Sequence, residues 1–295
     1  MNSKCIIIVL FVLLISCAPV EQQLACPVPA VQPKPVTQPS VGELSIIMLD
    51  VGQGQAILVQ FPNNKIMLYD AGRNKDKLVE YLQEFEIDTI DWAIISNLDA
   101  DHAAGLIGGF DVVDVVNYAE PNVPCDTKTC SLLAEKAKME GSNVVYLSEG
   151  MTVDIDPAVK VEVLNPTEPP IWDKDNDNSI VLKITYNEFT ALFSGDCEYP
   201  CEQVLLETNV DKLPSKLLIA GHHGSRTSSA DCFVQAIHPE IVLVSVGANN
   251  QYGHPAPEVI AKFEAIGAEV HRTDLEGTIS LTTDGKELKV ETESG

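Results

Sequence analysis

Basic residues are scarce in this chain: 19 Lys and Arg stand against 43 Asp and Glu among 295 residues, a formal net charge of −24. A surface of that sign repels a phosphate backbone, so broad nucleic-acid binding through counterion release is disfavoured. An apolar run long enough to cross a bilayer is also missing. The run from Ile6 to Ile15 spans about ten residues, half of the ~20 that a spanning helix needs. The eight cysteines include no C-x-x-C pair, which argues against a thiolate zinc cluster. No close internal sequence repeat is present, so the chain reads as two similar halves at most.

What is there begins with a leader. Lys4 followed by the apolar run reads as an export signal, and Leu14-Ile15-Ser16-Cys17 resembles a bacterial lipobox in which Cys17 would carry a lipid anchor. A plain signal peptide or an uncleaved anchor are the alternatives. Residues 18–42 carry Pro19, Pro27, Pro29, Pro33, Pro35 and Pro39, a composition that forms a semi-rigid extended tether. Residues 43–295 are then one catalytic-sized domain, expected at the outer face of the cell membrane or beyond it. In that oxidising setting Cys125 with Cys130, and Cys197 with Cys201, are plausible disulfides.

Within the domain, short apolar runs end repeatedly in polar tips. Trp92-Ala93-Ile94-Ile95 leads to Asn97, Asp99, Asp101 and His102; Ala191-Leu192-Phe193 leads to Gly195-Asp196; Leu217-Leu218-Ile219 leads to His222-His223-Gly224-Ser225; and Ile241 to Gly247 runs on to Gly253-His254-Pro255. Carboxylates and imidazoles at strand ends are hard to explain as packing and read as metal ligands. Four such tips converging at one edge of a sheet would make a site. Hairpin-type strands from Leu44 to Gly72 and from Ile180 to Ser194 each precede helical patterns, giving two similar halves. Helical spacing is expected at 75–85, 131–139, 197–207, 227–237 and 255–266, and the sum suggests two packed sheets with helices outside.

Taken in order, Leu49-Asp50-Val51-Gly52-Gln53-Gly54-Gln55-Ala56, Asp70-Ala71-Gly72, Asp99-Ala100-Asp101-His102, Asn178-Ser179, Gly195-Asp196, His222-His223-Gly224-Ser225 and Tyr252-Gly253-His254-Pro255 resemble the metallo-β-lactamase-fold superfamily. Within it they are most similar to the extracellular hydrolase domain of the ComEC/Rec2-type competence proteins. The resemblance runs from about residue 44 to the C-terminus and is to the hydrolase domain, not to the membrane channel, of full-length competence proteins. It implies an α+β, four-layer αββα sandwich holding one or two divalent ions, zinc or manganese. The implied ligands are Asn97, Asp99, Asp101, His102, Asp196, His222 and His223, with Asp101, His254 and Asn178 assisting catalysis. Asn97 departs from the family, which has histidine there, and a neutral amide is a weaker zinc ligand than imidazole.

The residue chemistry points the same way, since a mixed carboxylate and imidazole shell with an open position suits metal-assisted hydrolysis. The leading expectation is an exported metal-dependent phosphodiesterase or nuclease, acting on a phosphodiester such as single-stranded DNA. The alternative is a non-catalytic surface binding module on a degenerate hydrolase scaffold, for which Asn97 is the evidence. A β-lactamase proper fits less well, because its motif keeps both leading histidines and a cysteine ligand. Asp70 is expected to hold a loop through hydrogen bonds rather than bind metal, and of the adjacent histidines one is expected to ligate and the other to support it.

Overall fold

The computed structural model of this chain describes residues 42–171 and 176–294. The readings for the leader, for Cys17 and for the proline-rich segment up to residue 41 lie outside the described residues. Among the described residues no helix is long and apolar enough to cross a membrane.

The first half runs β1 (Leu44–Met48), β2 (Ala56–Gln60), β3 (Ile66–Ala71), α1 (Lys75–Glu84), β4 (Thr89–Ile94), two single-turn helices α2 (Ala100–Ala103) and α3 (Leu106–Gly109), β5 (Asp114–Pro121), α4 (Lys128–Glu140) and β6 (Asn143–Leu147). The second runs β7 (Val159–Asn165), β8 (Val181–Tyr186), β9 (Phe189–Phe193), α5 (Tyr199–Thr208), β10 (Leu217–Ile219), α6 (Asp231–Ile237), β11 (Ile241–Val244), α7 (Pro257–Ala265) and β12 (Glu269–Arg272). After it come α8 (Thr273–Glu276), β13 (Ile279–Thr283) and β14 (Leu288–Thr292).

Two sheets result, ordered β14-β13-β1-β2-β3-β4-β5-β6 and β12-β11-β10-β9-β8-β7. Each begins with antiparallel hairpins and continues in parallel strands: β3 to β6 in the first, β9 to β12 in the second. The two halves therefore do share a layout. Because successive side chains point to opposite faces, the apolar strands bury both. Ile46, Met48, Ile57, Val59, Ala191, Phe193, Leu217 and Leu243 fill the layer between the sheets. Their alternates meet helices: Ile47, Leu58 and Ala93 on one side, Leu192, Leu218 and Val242 on the other. This is the expected αββα sandwich. Tyr69 ties its halves together, with its hydroxyl donating to the Ile180 carbonyl (2.6 Å) and its ring edge-on to Phe193.

Helix starts shift where side chains claim the backbone. The segment at 227–230 stays a loop, because Ser228 Oγ donates to the Gly221 carbonyl (2.7 Å) and the buried Glu202 carboxylate accepts the Ser229 and Ala230 N–H groups. α4 starts earlier than its apolar spacing indicates, since Thr127 caps it by accepting the Cys130 N–H (3.1 Å). α7 begins at Pro257, after the Ala256 N–H is used on the Gly224 carbonyl (2.9 Å).

One glycine fixes the seating of α2 and α3 on the sheet. The Gly105 N–H donates to the Gly72 carbonyl (2.8 Å), and a Cβ at Gly105 would overlap the Ala71 carbonyl, with its carbon only 2.8 Å away. Backbone cannot yield as a flexible side chain would. Gly105→Ala is expected to cost about 3 kcal/mol, lowering the melting temperature by about 10 °C in a thermal scan.

Candidate metal centre

The polar tips meet where the C-terminal ends of parallel strands from both sheets face each other. Their meeting point is thus between two sheets, which corrects the expectation of one sheet edge: β4 belongs to the first sheet, whereas β9, β10 and β11 belong to the second. The gap between the ends of opposed sheets is where ligands from both halves can reach a common point.

Beyond β4, the Ile95 N–H still pairs with the Ala119 carbonyl (2.9 Å), and the Ser96 N–H turns to the Asp70 carboxylate (2.6 Å). Asn97 is fully buried, and its Oδ1 accepts the Asp99 N–H (2.9 Å), an Asx arrangement that sets Asp99 in extended backbone at the position just before α2. Its amide nitrogen lies 3.4 Å from Ser179 Oγ. Asn97 therefore shapes this loop. Asp101 and His102 follow on the single turn of α2, locked from the other side by the Gln55 N–H donating to the Asp101 carbonyl (3.0 Å).

After β9, Gly195 (φ +52°) turns the chain so that Asp196 is buried, its N–H donating to Ser179 Oγ (3.1 Å). After β10, His222 and His223 both adopt left-handed backbone (φ +47° and +53°), as does Asp70 (φ +59°). Such conformations cost about 1–3 kcal/mol each at residues other than glycine and cluster at functional sites.

One ligand atom from each of Asp101, His102 and His223 lies within 4.8 Å of the others. His223 Nε2 stands 3.7 Å from Asp101 Oδ2 and 3.9 Å from Asp196 Oδ1, and His102 Nε2 is 3.0 Å from Asp196 Oδ1. His102 Nε2, His223 Nε2 and Asp196 Oδ1 are all buried, and although His102 and Asp196 face each other as an ion pair, none of the three atoms makes a well-formed hydrogen bond. Buried polar atoms that meet at one point without satisfying one another are costly unless something binds there, and two imidazoles with carboxylates match the donor set of zinc or manganese. The residues fit a divalent cation.

The other ring nitrogens are spent on orientation. His102 Nδ1 pairs with Asp70 Oδ2 (2.8 Å) and His223 Nδ1 with the Ser245 carbonyl (2.9 Å), so in both rings Nε2 presents its lone pair to the centre. Asp70 carries further weight, accepting from Ser96 Oγ (2.9 Å) and Gln55 Nε2 (2.8 Å) with no surface exposed. His222 is less buried; its Nδ1 pairs with Glu198 (3.0 Å) and its Nε2 is 3.8 Å from Asp196. The orienting roles of Asp70 toward His102, of Glu198 and of the Ser245 carbonyl have no signal in the sequence beyond the Asp-Ala-Gly that ends β3.

Electrostatics favour positive charge here. Burial lowers the pKa of His102, but the Asp196 and Asp70 carboxylates outweigh it and raise it well above the usual imidazole value. Burial opposes ionisation of Asp101 too, and the neighbouring His223 and His102 overcome it, bringing its pKa to about 2. Asp196 is likewise held ionised against burial by His102 and His223. The field that favours a proton on His102 favours a divalent cation at the same point.

His254 lies one ring outward from His222, with centroids 5.6 Å apart; burial and then the His222 and His223 charges lower its pKa. Asn178 is buried in the turn Asn176–Asn178, next to Ser179, which touches Asp196. Ser225 pairs with Thr227 (2.9 Å) and shapes the loop below. Cys197, which a lactamase-type centre would need as a ligand, is bonded to Cys201, and Cys125 is bonded to Cys130.

The chain belongs to the metallo-beta-lactamase superfamily, which residues 49–247 match. It is similar to competence protein ComA of Neisseria gonorrhoeae (29% identical, covering 81% of this chain and 32% of that protein). It is also similar to ComE operon protein 3 of Bacillus subtilis (27% identical, 81% and 33%). The chain thus spans about a third of the length of these curated relatives. Among solved structures, CmlA, a diiron beta-hydroxylase from Streptomyces venezuelae, shares the fold with a TM-score of 0.53 at 15% identity, over 83% of this chain and 55% of that one.

Proposed function

We propose that this protein is an exported, metal-dependent hydrolase that cleaves phosphodiesters, with single-stranded DNA or shorter nucleotides as substrate. The observation that carries the reading is the convergence of Asp101, His102 and His223, with ligand atoms within 4.8 Å of one another, beside the buried Asp196 carboxylate, where His102 Nε2, His223 Nε2 and Asp196 Oδ1 make no well-formed hydrogen bond. Membership of a superfamily of generally metal-dependent hydrolases supports the reaction type, and similarity to competence proteins supports a nucleic-acid substrate. The leader, Cys17 as a lipid anchor, and two disulfides support a place outside the cytoplasm, on the outer face of the cell membrane.

In this reading Asp101, His102, His223 and Asp196 hold one cation tightly, and Asp99 and His222 flank it. With a divalent cation held by these residues, the site would gain the charge that polarises a phosphoryl oxygen and acidifies a nearby water. The protein's own part is orientation. Asp70 and the Ser245 carbonyl keep both Nε2 lone pairs inward, Glu198 turns His222 toward Asp196, and His254, one ring outward from His222, is the residue assigned to the leaving-group oxygen. The net charge of −24 favours short substrates over long polyanions.

The test is hydrolysis of a chromogenic phosphodiester and of a single-stranded oligonucleotide by purified protein, stripped by chelator and then given manganese or zinc. Activity lost on stripping and regained with metal is expected. A protein that loads metal but cleaves neither substrate would instead favour the binding module, the reading that Asn97's use as a loop-shaping amide supports.

A further inference from the structure

Three ring contacts lead outward from the metal centre: His223 to His222 (6.2 Å), His222 to His254 (5.6 Å) and His254 to Tyr252 (5.8 Å). The last pair is stacked, with planes 13° apart, and Tyr252 keeps 48% of its surface exposed. Burial does not account for its position. The loop is nevertheless built to hold the pair. Asn250 Oδ1 accepts the Tyr252 and His254 N–H groups (both 3.1 Å), and its amide donates to the carbonyls of Gly247 (3.1 Å) and His254 (2.6 Å). Gly253 (φ +72°) makes the turn between the two rings. At the base of the loop, Gly247 lies so close to the strand-linking loop of the first sheet that a Cβ there would sit 2.6 Å from the Gln53 nitrogen.

We propose that Tyr252, stacked on His254, is a base-stacking platform that selects a nucleotide whose base lies beside the scissile phosphate; this rests on the phosphodiesterase reading above. An exposed aromatic ring stacked on His254, on a loop whose backbone Asn250 holds by four hydrogen bonds, is the geometry that binds any nucleobase by its π-face. Charge gives the second reason. The chain has 19 basic residues against 43 acidic, and Arg226, close to the histidine pair in sequence, is paired with Glu258. Phosphate affinity from lysine and arginine is therefore small, and stacking supplies binding that does not depend on charge.

The experiment compares a thymidine dinucleotide with its counterpart carrying an abasic site, using manganese-loaded full chain. The wild type is expected to prefer the base-bearing substrate in kcat/KM by about ten- to a hundredfold, mainly through KM. Tyr252→Ala is expected to collapse that ratio toward unity and Tyr252→Phe to keep it. A ratio that survives in Tyr252→Ala overturns the platform. If the wild type cleaves neither substrate, the hydrolase reading has failed and stacking is read separately, from the fluorescence of 2-aminopurine deoxynucleoside monophosphate. Quenching by the wild type and by Tyr252→Phe but not by Tyr252→Ala then supports the platform, and equal signals from wild type and Tyr252→Ala overturn it.

Discussion

His223→Ala is expected to lower diester hydrolysis by at least about a thousandfold and to empty the centre of metal. Its Nε2 is buried at the centre without a hydrogen bond, and its Nδ1 is committed to the Ser245 carbonyl, which aims Nε2 at the cation position. The substitution leaves Asp101 and Asp196 with His102 as the only nitrogen among them. Stability should change far less than activity, by about 1–2 kcal/mol, because the mutation removes one hydrogen bond and leaves alanine to carry the same left-handed backbone. His222→Ala is the control. His222 is more exposed and approaches the centre only at 3.8 Å from Asp196, so its loss should cost about tenfold. Circular dichroism alongside steady-state rates checks both, and the reverse ranking would displace His223 from the centre.

Asp70→Ala is expected to be the most damaging single change to the folded state. Four buried donors converge on this carboxylate: the Ser96 N–H (2.6 Å), Ser96 Oγ (2.9 Å), Gln55 Nε2 (2.8 Å) and His102 Nδ1 (2.8 Å). Removing the acceptor strands all of them, at about 3–5 kcal/mol, and melting should fall by about 10–15 °C. Asp70→Asn keeps the shape but turns an NH2 group toward donors and leaves the tautomer of His102 unset. Zinc affinity, measured by competition with a chromophoric chelator, should then drop about ten- to a hundredfold with a smaller loss of stability. Wild-type affinity in Asp70→Asn would show that His102 needs no orienting carboxylate.

Much of the fold is legible because strands buried on both faces leave continuous apolar runs, such as Leu217 to Ile219 and Ile241 to Val244. Helix starts are less legible. Thr127 draws one helix forward, and Ser228 with Glu202 holds another back, through contacts between residues distant in the chain or otherwise unremarkable. At the centre the tips could be read, since ionisable residues carried to the ends of buried apolar strands cost free energy unless they bind something there. The pairing of Asp70 with His102 could not, because it depends on β3 lying parallel to β4 with Tyr69 opposite Ile94, which brings Asp70 level with the start of the next loop. Expecting one sheet edge failed for the same reason: which sheet a strand joins is set by long-range pairing. The Ser245 carbonyl is backbone, and no side chain announces it.

Elemental mass spectrometry on purified full-length protein, after incubation with zinc or manganese and removal of excess, tests the central claim most directly when wild type is compared with Asp196→Ala and His223→Ala. About one tightly held divalent ion per wild-type chain, with near loss in both variants, is the predicted result. A wild type that retains no metal, or variants that retain as much as the wild type, would contradict a cation held by Asp101, His102, Asp196 and His223.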